Sequence, residues 1–338
     1  MTEANPILIE VTRGKLVESR HRGAAVVIDA HGRIVARWGD IETPVYPRSA
    51  LKPLQALSWV ETGVAERFSL SSEEIAIACG SHSAEETHVA CVAGWLARLG
   101  LQRRCLICGP HPPYSEAANT ALIRAGAAPT ALHNNCSGKH AGFLTACLDL
   151  GQPVAGYADP YHAVQVKVRA VVEQMTGTPL SLEDMAQDGC GAPIYAMPLS
   201  ALALGFARMA APASLPSPRA AAVRRICGAI TEAPHYVAGS GCFDTRIIAL
   251  SGGAVIAKGG AEGVHAAALP ANGVGIALKI DDGSKRAREA AMAALLRRYV
   301  GGADAVLDGV LAEIAAEPVF NTLGEEVGRI RAASRWLE

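Results

Sequence analysis

The first forty residues contain short apolar runs rich in β-branched residues, a pattern typical of strands. Three such runs follow one another: ILIEVTRG (7–14), GAAVVIDA (23–30) and GRIVARWG (32–39). Only a tight turn around His31 and Gly32 separates the last two. The N-terminal segment is therefore predicted to form a β-meander.

A second group of apolar runs lies near the other end of the chain. TRIIALSGG (245–253) and AVIAKGG (254–260) predict a hairpin with its turn at Gly252 and Gly253, and GVGIALKI (273–280) predicts a strand after it. Because strands are predicted at both termini, we expect one antiparallel sheet assembled from the two ends of the chain.

The middle of the chain changes to a period near 3.6 residues, which is typical of helices. Apolar residues recur on one face from Glu85 to Gly100, and a second helix is predicted to begin at Asp159-Pro160 and to end at Gly177. Further helices are predicted to start at Ser115, near Gly138, at Ser181, and at Ser284 with an end at about Tyr299.

Together these elements predict an α+β fold, an α/β sandwich in which helices pack on the faces of an antiparallel sheet built from both termini. The whole chain, 1–338, is expected to form a single domain. Its helical middle region (about 85–235) would be inserted between the N- and C-terminal strands, so the two ends could not fold as separate domains.

Charge and composition exclude several classes of protein. The 338 residues carry 31 Lys and Arg against 32 Asp and Glu, and this balance offers no broad positive field to nucleic acid or to an anionic membrane. The start of the chain lacks the basic segment and apolar core of a secretory signal, and the most apolar tract (196–211) is too short to cross a bilayer. We expect a cytoplasmic protein whose nine cysteines are thiols or metal ligands.

Only seven of the basic residues are lysines, and lysine, unlike arginine, can lose its proton when buried. Ser49 and Lys52 form an S-x-x-K motif at the start of the helical run RSALKPLQALSWVE (48–61), and the i, i+3 spacing puts the hydroxyl and the amine on one face. A desolvated lysine can accept the proton of such a serine. An N-cap serine followed by a solvated lysine is the alternative interpretation.

A second lysine and a second serine extend this pattern. AVIAKGG (254–260) places Lys258 at the end of a strand before two glycines, which looks like the third sequence element of serine β-lactamases and penicillin-binding proteins. ACGSHS (78–83) predicts a strand-to-helix turn that could present the hydroxyl of Ser81. A strand-end lysine before a glycine turn also has a purely structural interpretation.

Two polar turns, HNNCSGKH (133–140) and DGCGAP (188–193), each contain one cysteine. Two thiolates with a nearby amine or imidazole could bind zinc, which favours sulphur and nitrogen ligands. Buried inert thiols explain the same spacing equally well.

Eight blocks of the sequence are rich in unusual polar residues: VTRG (11–14), VESRHRG (17–23), YPRSALKPLQAL (46–57), CGSHSAEETH (79–88), CGPHPP (108–113), NNCSGKHAGFL (134–144), DGCGAPIYAMPL (188–199) and GSGCFDT (239–245). Together they closely resemble one family, the Rhizobium etli-type (class 3) L-asparaginases of the asparaginase II family. The similarity extends from about Ile7 to the final strands.

This resemblance implies an amidohydrolase (EC 3.5.1.1) that converts L-asparagine and water to L-aspartate and ammonia, a fold similar to serine β-lactamases and glutaminases, and a homodimer. It places two catalytic Ser-Lys pairs at Ser49 with Lys52 and at Ser81 with Lys258. It places zinc (Zn²⁺) ligands at Cys136, Lys139 and Cys190. Residues near the substrate are implied at Arg48, Asn134, His140, Asp188 and Gly259.

On this hypothesis Lys52 takes the proton of Ser49, which attacks the side-chain amide of asparagine to form an acyl-enzyme. Two other classes of protein stay open. A penicillin-interactive serine acyl hydrolase would be labelled stably by a β-lactam. A non-catalytic, zinc-stabilised amino-acid-binding protein would bind asparagine tightly without releasing ammonia.

Overall fold

The computed structural model describes residues 4–302, 304–334, 336 and 337. The chain divides into two compact units. Unit 1 consists of Met1–Ala50, Met197–Ala211 and Gly259–Glu338, and unit 2 consists of Leu51–Ala196 and Pro212–Lys258. The predicted single domain stays a prediction.

Within the described residues the strands are β1 (Ile7–Arg13), β2 (Leu16–Asp29), β3 (Ile34–Trp38), β4 (Met185–Gln187), β5 (Pro193–Tyr195), β6 (Ile256–Gly259), β7 (Val264–Leu269), β8 (Val274–Ile280), β9 (Pro318–Phe320) and β10 (Glu326–Ala332). The helices are α1 (Lys52–Val60), α2 (Val64–Arg67), α3 (Ser72–Cys79), α4 (Glu86–Arg98), α5 (Glu116–Arg124), α6 (Ser137–Asp149), α7 (Ala163–Thr176), α8 (Leu199–Ala210), α9 (Ser217–Glu232), α10 (Phe243–Ser251), α11 (Lys285–Val300) and α12 (Ala305–Ala315). A 3-10 helix, Arg48–Leu51, leads directly into α1.

The main sheet is assembled from both ends of the chain, in the order β6-β7-β8-β2-β1-β10-β9, and β3 also pairs with β2. The long strand β2 pairs first with β1 and then, through residues 23–29, with β8. Each of these pairings is antiparallel, as is that of β1 with β10. The predicted N-terminal meander is confirmed.

Helices cover the sheet within unit 1. Helix α8 packs on β2, β7 and β8, and helix α11 packs on β1, β7, β8 and β10. Strand β7 is buried at every residue, which is expected when neither face of a strand reaches water. At Gly275 an added Cβ would lie 2.1 Å from the carbonyl oxygen of Ala203, so α8 approaches β8 more closely than any larger residue allows. The predicted α+β fold is confirmed.

Unit 2 is mainly helical. Helices α1, α3, α6, α7 and α9 pack against one another around its core, and β4 and β5 form a separate two-stranded sheet. None of the helices in the described part of the chain combines the length and the apolar character needed to cross a membrane. None of the nine cysteines, all of which lie within the described residues, forms a disulfide.

Several predicted helices are confirmed: Ser115 caps α5, α6 begins next to Gly138, Ser284 caps α11, and α4 occupies the 85–100 segment. The helix predicted from Asp159 begins later, at Ala163, because the Asp159 carboxylate accepts a local N–H and forms a turn instead. No helix starts at Ser181, whose hydroxyl accepts the N–H of Glu183 in the same way.

Two predicted strands are wrong. The 245–253 run belongs to helix α10, because its buried apolar residues Phe243, Ile247 and Ile248 share one helical face. The segment before Ser81 is helix α3, since Ser71 and Glu74 form a capping box that starts a helix there. Neither signal is visible when only the short apolar run is considered.

Candidate active site

Ser81 lies in the loop that follows helix α3. Gly80 precedes it and passes so close to the backbone of Tyr236 that an added Cβ would lie 2.5 Å from the Tyr236 carbonyl oxygen. The Ser81 N–H donates to the carbonyl oxygen of Val237 at 2.7 Å. These contacts fix the backbone of Ser81, and they engage its N–H so that it cannot stabilise an oxyanion.

Lys52 reaches Ser81 from the first position of helix α1. The residue is 1% exposed, and its Nζ lies 2.9 Å from Ser81 Oγ. Nζ also donates to the carbonyl oxygen of Gly80 and, at 3.4 Å, to that of Asn135. Pro53 lies in the first turn of α1, where a missing N–H costs no hydrogen bond. The structure therefore brings together two of the four predicted catalytic residues.

The three contacts of the Lys52 amine suit both of its protonation states. A neutral amine has two N–H groups, which match the two carbonyl oxygens, and one lone pair, which can accept the Ser81 O–H. An ammonium has three N–H groups, which match the same three oxygen atoms. A proton can therefore pass between Ser81 and Lys52 without rearrangement of either side chain, as an acid–base pair requires.

Ser49 and Arg48 lie in unit 1, in the 3-10 helix that leads into α1. Arg48 has a φ of +50°, a left-handed conformation that residues other than glycine adopt rarely and at a cost in backbone strain. In the same unit, Gly260 packs against this turn, since an added Cβ would lie 2.8 Å from the carbonyl oxygen of Pro47. The turn with Ser49 and the strand end with Gly259 therefore share one region of unit 1.

Lys258, near the end of β6, faces a carboxylate. Its Nζ lies 3.6 Å from Asp244 Oδ2, and both side chains are buried. Burial raises the pKa of the Cys79 thiol, and the charges of Lys52 and Lys258 both oppose that rise, which places the two amines near the C-terminal end of α3. The pairing of Lys258 with Ser81 stays a prediction.

Cys136, Lys139, Asp188 and Cys190 form a buried group of ligand types in unit 2, which we call the thiol cluster. Cys136 caps α6, and Lys139 lies one turn later on the same face. Lys139 Nζ lies 3.0 Å from Cys190 Sγ, and the ligand atoms of Cys136, Asp188 and Cys190 all lie within 4.8 Å of one another. The three predicted zinc ligands thus come together, and Asp188, a predicted substrate contact, joins them.

Charges within the thiol cluster favour one protonation pattern. The hydrogen bond from the Cys136 thiol, together with the charge of Lys139, holds the pKa of Cys190 well below its ordinary value. The same hydrogen bond, together with burial, raises the pKa of Cys136. Burial alone would lower the pKa of Lys139, but its two cysteine neighbours and Asp188 raise it above its usual value. These shifts favour a proton on Cys136 and on Lys139 over a proton on Cys190.

His140 is fully buried in the first half of helix α6, and its two ring nitrogens face different groups. Tyr157 Oη lies 2.7 Å from His140 Nδ1 and accepts the N–H of Ile107. Burial lowers the pKa of His140, so the ring is neutral; the Tyr157 hydroxyl then donates to Nδ1, and Nε2 carries the remaining proton. A hydrogen bond with Cys190 opposes this fall in the pKa of His140, so Nε2 faces the thiol cluster.

Asn134 uses its side chain to shape the turn before α6. Its Nδ2 donates to the carbonyl oxygen of Cys108 at 2.6 Å, and its Oδ1 accepts the N–H of Cys136 at 2.9 Å. These bonds position the first ligand of the thiol cluster. The predicted contact of Asn134 with substrate stays a prediction.

A second group of metal-binding residue types, Glu85, His88 and His235, is a hydrogen-bonded network. Their ligand atoms lie within 4.8 Å of one another. However, His88 Nδ1 accepts the N–H of Glu85 and His88 Nε2 lies 3.0 Å from the carbonyl oxygen of His235. The Glu85 carboxylate accepts from the hydroxyls of Ser83 and Ser240. Because both nitrogens of His88 are engaged, this group does not offer a metal site.

The sequence of the chain matches one known protein family. A family model described as L-asparaginase II matches residues 9–332. No curated protein matches the chain. A crystal structure of Mglu in its native form is similar with a TM-score of 0.44 and 16% identity, over 82% of this chain and 64% of that one. A β-lactamase from Mycobacterium bovis is similar with a TM-score of 0.40 and 16% identity, over 82% and 94% of the two chains. At these scores neither structure informs on activity.

Proposed function

Because the chain belongs to the L-asparaginase II family, a family of amidohydrolases, we propose that it hydrolyses L-asparagine to L-aspartate and ammonia. The observation that carries the proposal is the buried amine of Lys52 at 2.9 Å from Ser81 Oγ, because this pair can move the protons that amide hydrolysis requires. We further propose that the protein works as a homodimer in the cytoplasm.

In the proposed mechanism the Ser49 hydroxyl attacks the side-chain amide carbon of asparagine and gives its proton to Lys52. The amide C–N bond breaks, and the nitrogen leaves as ammonia with a proton that Ser81 relays, while Lys258 supplies positive charge nearby. Water then attacks the acyl-enzyme, the ester bond breaks, and the serine recovers its proton through Lys52. Backbone N–H groups at the start of α1 stabilise the oxyanion, although that of Ala50 is engaged with Pro47.

Substrate recognition is proposed for the charged and polar groups around these residues. Arg48 pairs with the α-carboxylate of asparagine and Asp188 with its α-ammonium, two charge-assisted contacts that exclude neutral amides. A further hydrogen bond to the substrate is proposed for His140. Asn134 and Gly259 complete the proposed substrate site.

The thiol cluster fits a zinc ion. Cys136, Cys190 and Lys139 supply two sulphur atoms and one nitrogen, the ligand types that zinc favours. The two sulphur atoms lie within 4.8 Å of each other, and Lys139 Nζ lies 3.0 Å from Cys190 Sγ. These three residues would hold the ion. When bound, zinc would supply positive charge that orders the two cysteine turns and orients the substrate; the serine already supplies a nucleophile.

Zinc affinity is expected to fall as the pH falls. The pKa values of Cys136 and Lys139 are raised, so each must lose a proton before it can bind the metal, whereas the pKa of Cys190 is lowered. Below both pKa values the affinity should change by about one decade per pH unit for each proton displaced. Competition titrations with a chromophoric zinc indicator at pH 6, 7 and 8 would measure the slope. An affinity independent of pH would contradict the assignment of these ligands.

The proposed function is tested by ammonia release from L-asparagine. We expect steady release of ammonia from L-asparagine. L-Glutamine, which is longer by one methylene, is the matched comparison substrate. It should react more slowly, because two charged contacts fix the distance from the α-carbon to the amide. The products should be L-aspartate and ammonia in equal amounts. Tight binding of asparagine without release of ammonia would instead identify an amino-acid-binding protein.

A further inference from the structure

His82, the residue after Ser81, is fully buried and uses both ring nitrogens. Nδ1 accepts the N–H of Ala84 at 3.2 Å, and Nε2 lies 2.8 Å from Ser137 Oγ. Because Nδ1 is an acceptor, the neutral ring carries its proton on Nε2 and donates it to Ser137 Oγ. The Ser137 hydroxyl in turn donates to the carbonyl oxygen of Leu132 at 3.1 Å.

This arrangement excludes a role for His82 as the base of Ser137. The ring nitrogen that faces the hydroxyl already carries a proton and has no free lone pair, so it cannot accept the hydroxyl proton. Burial lowers the pKa of His82 well below its ordinary value, which disfavours the charged ring. The pair is therefore a fixed hydrogen bond between two segments of the chain.

The two segments that it joins carry different parts of the proposed site. On one side, His82 follows Ser81. On the other side, Ser137 lies between Cys136 and Lys139 in the first turn of α6. Among the hydrogen bonds described for the structure, it is the direct side-chain bond between these two segments; Lys52 links them indirectly.

Helices α3 and α6 also contact each other directly. At Gly138 an added Cβ would lie 2.5 Å from the carbonyl oxygen of Ile77, so the two helices are in backbone contact. The amine of Lys52 is bonded both to Ser81 and to the carbonyl oxygen of Asn135, the residue before Cys136. A shift of the first turn of α6 would therefore be transmitted to both members of the Ser81–Lys52 pair.

The loop after Ser81 depends on His82 for its shape. Ala84 has a φ of +58°, a left-handed conformation that is strained for alanine. The hydrogen bond from the Ala84 N–H to His82 Nδ1 stabilises this conformation. If His82 were released, the loop could relax and carry Ser81 away from Lys52.

We propose that His82 and Ser137 are positioning residues that couple the thiol cluster to the placement of Ser81. The inference rests on the proposed function for its catalytic consequence, but the mechanical link can be measured without it. Metal bound at Cys136 and Lys139 fixes the first turn of α6, and the Ser137–His82 hydrogen bond passes that order to the Ser81 loop.

The test uses Ser137→Ala, with Ser137→Thr as the variant that keeps the hydroxyl. Ser58→Ala is the matched control, because Ser58 is also buried and bonds to a backbone carbonyl. We expect Ser137→Ala to lower kcat for asparagine about 10- to 100-fold with little change in KM, since small misplacements of a reacting group cost rates of this order. Ser137→Thr and Ser58→Ala should stay within a few-fold of wild type.

Hydrogen exchange of residues 80–86 with and without ZnCl₂ separates this inference from the proposed function. Zinc should slow exchange of this segment in the wild-type protein and in Ser58→Ala, but not in Ser137→Ala. If the wild type shows this zinc effect but releases no ammonia, the proposed function fails and the coupling stands. A Ser137→Ala protein with wild-type kcat and wild-type zinc protection, or a wild type without zinc protection, would overturn the coupling.

Discussion

Lys52→Met is expected to lower kcat/KM for L-asparagine by about 10³-fold, within the range that removal of a general base produces. Methionine fills nearly the same volume but cannot accept a proton from a serine. Lys52→Arg should be as inactive, because a guanidinium keeps its charge and cannot act as a base at neutral pH. Ammonia release under saturating and limiting asparagine would give kcat and kcat/KM separately.

A control must separate this loss from a loss of fold. Removing the Lys52 amine leaves the carbonyl oxygens of Gly80 and Asn135 without that donor, at a cost of about 1–3 kcal/mol for a buried group. Denaturant unfolding of Lys52→Met therefore has to accompany the kinetics. Lys167→Met, at an exposed position of helix α7, should behave as wild type in both measurements. A fully active Lys52→Arg enzyme would remove Lys52 from the role of base.

The part of the fold that the sequence predicts well is the part with an unambiguous period. Helices α4 and α7 each bury one stripe of residues at a helical period, so local and tertiary preferences agree there. The 245–253 run is short and apolar, and a strand and a buried helix fit such a run equally well. In the folded chain Ile247 and Ile248 are both buried on one face of a helix, and this packing favours the helix over the strand.

The candidate site also contains residues that the sequence predicts and residues that it does not. Residue type and spacing pointed to Lys52, Ser81 and the two cysteine turns, whereas Lys139 as a metal ligand came only from the resemblance to the asparaginase II family. The partner of Lys258 could not be predicted: Asp244 lies in the first turn of a helix, where a carboxylate is ordinary for dipole reasons alone. His82 gave no signal either, since only the folded chain shows that both of its nitrogens are engaged.

The contact between Lys52 and Ser81 sharpens the question of which serine is acylated. The S-x-x-K spacing makes Ser49 the proposed nucleophile, whereas Ser81 is the hydroxyl at 2.9 Å from the Lys52 amine. Both assignments use the same base. They differ in where the aspartyl group is attached, which a chemical trap can determine.

Ser49→Ala is expected to lower kcat by about 10³-fold or more and to leave no covalent adduct, because the proposed acyl-enzyme cannot form. Ser81→Ala should lower kcat less, by about 10²-fold, because it removes a proton relay and leaves the nucleophile in place. Acid quenching during turnover, followed by peptide mapping, should find the aspartyl group on Ser49 in both wild type and Ser81→Ala. An adduct on Ser81 in the wild type would make Ser81 the nucleophile. Ser58→Ala controls for the loss of a buried serine hydroxyl and should show wild-type rates and the wild-type adduct.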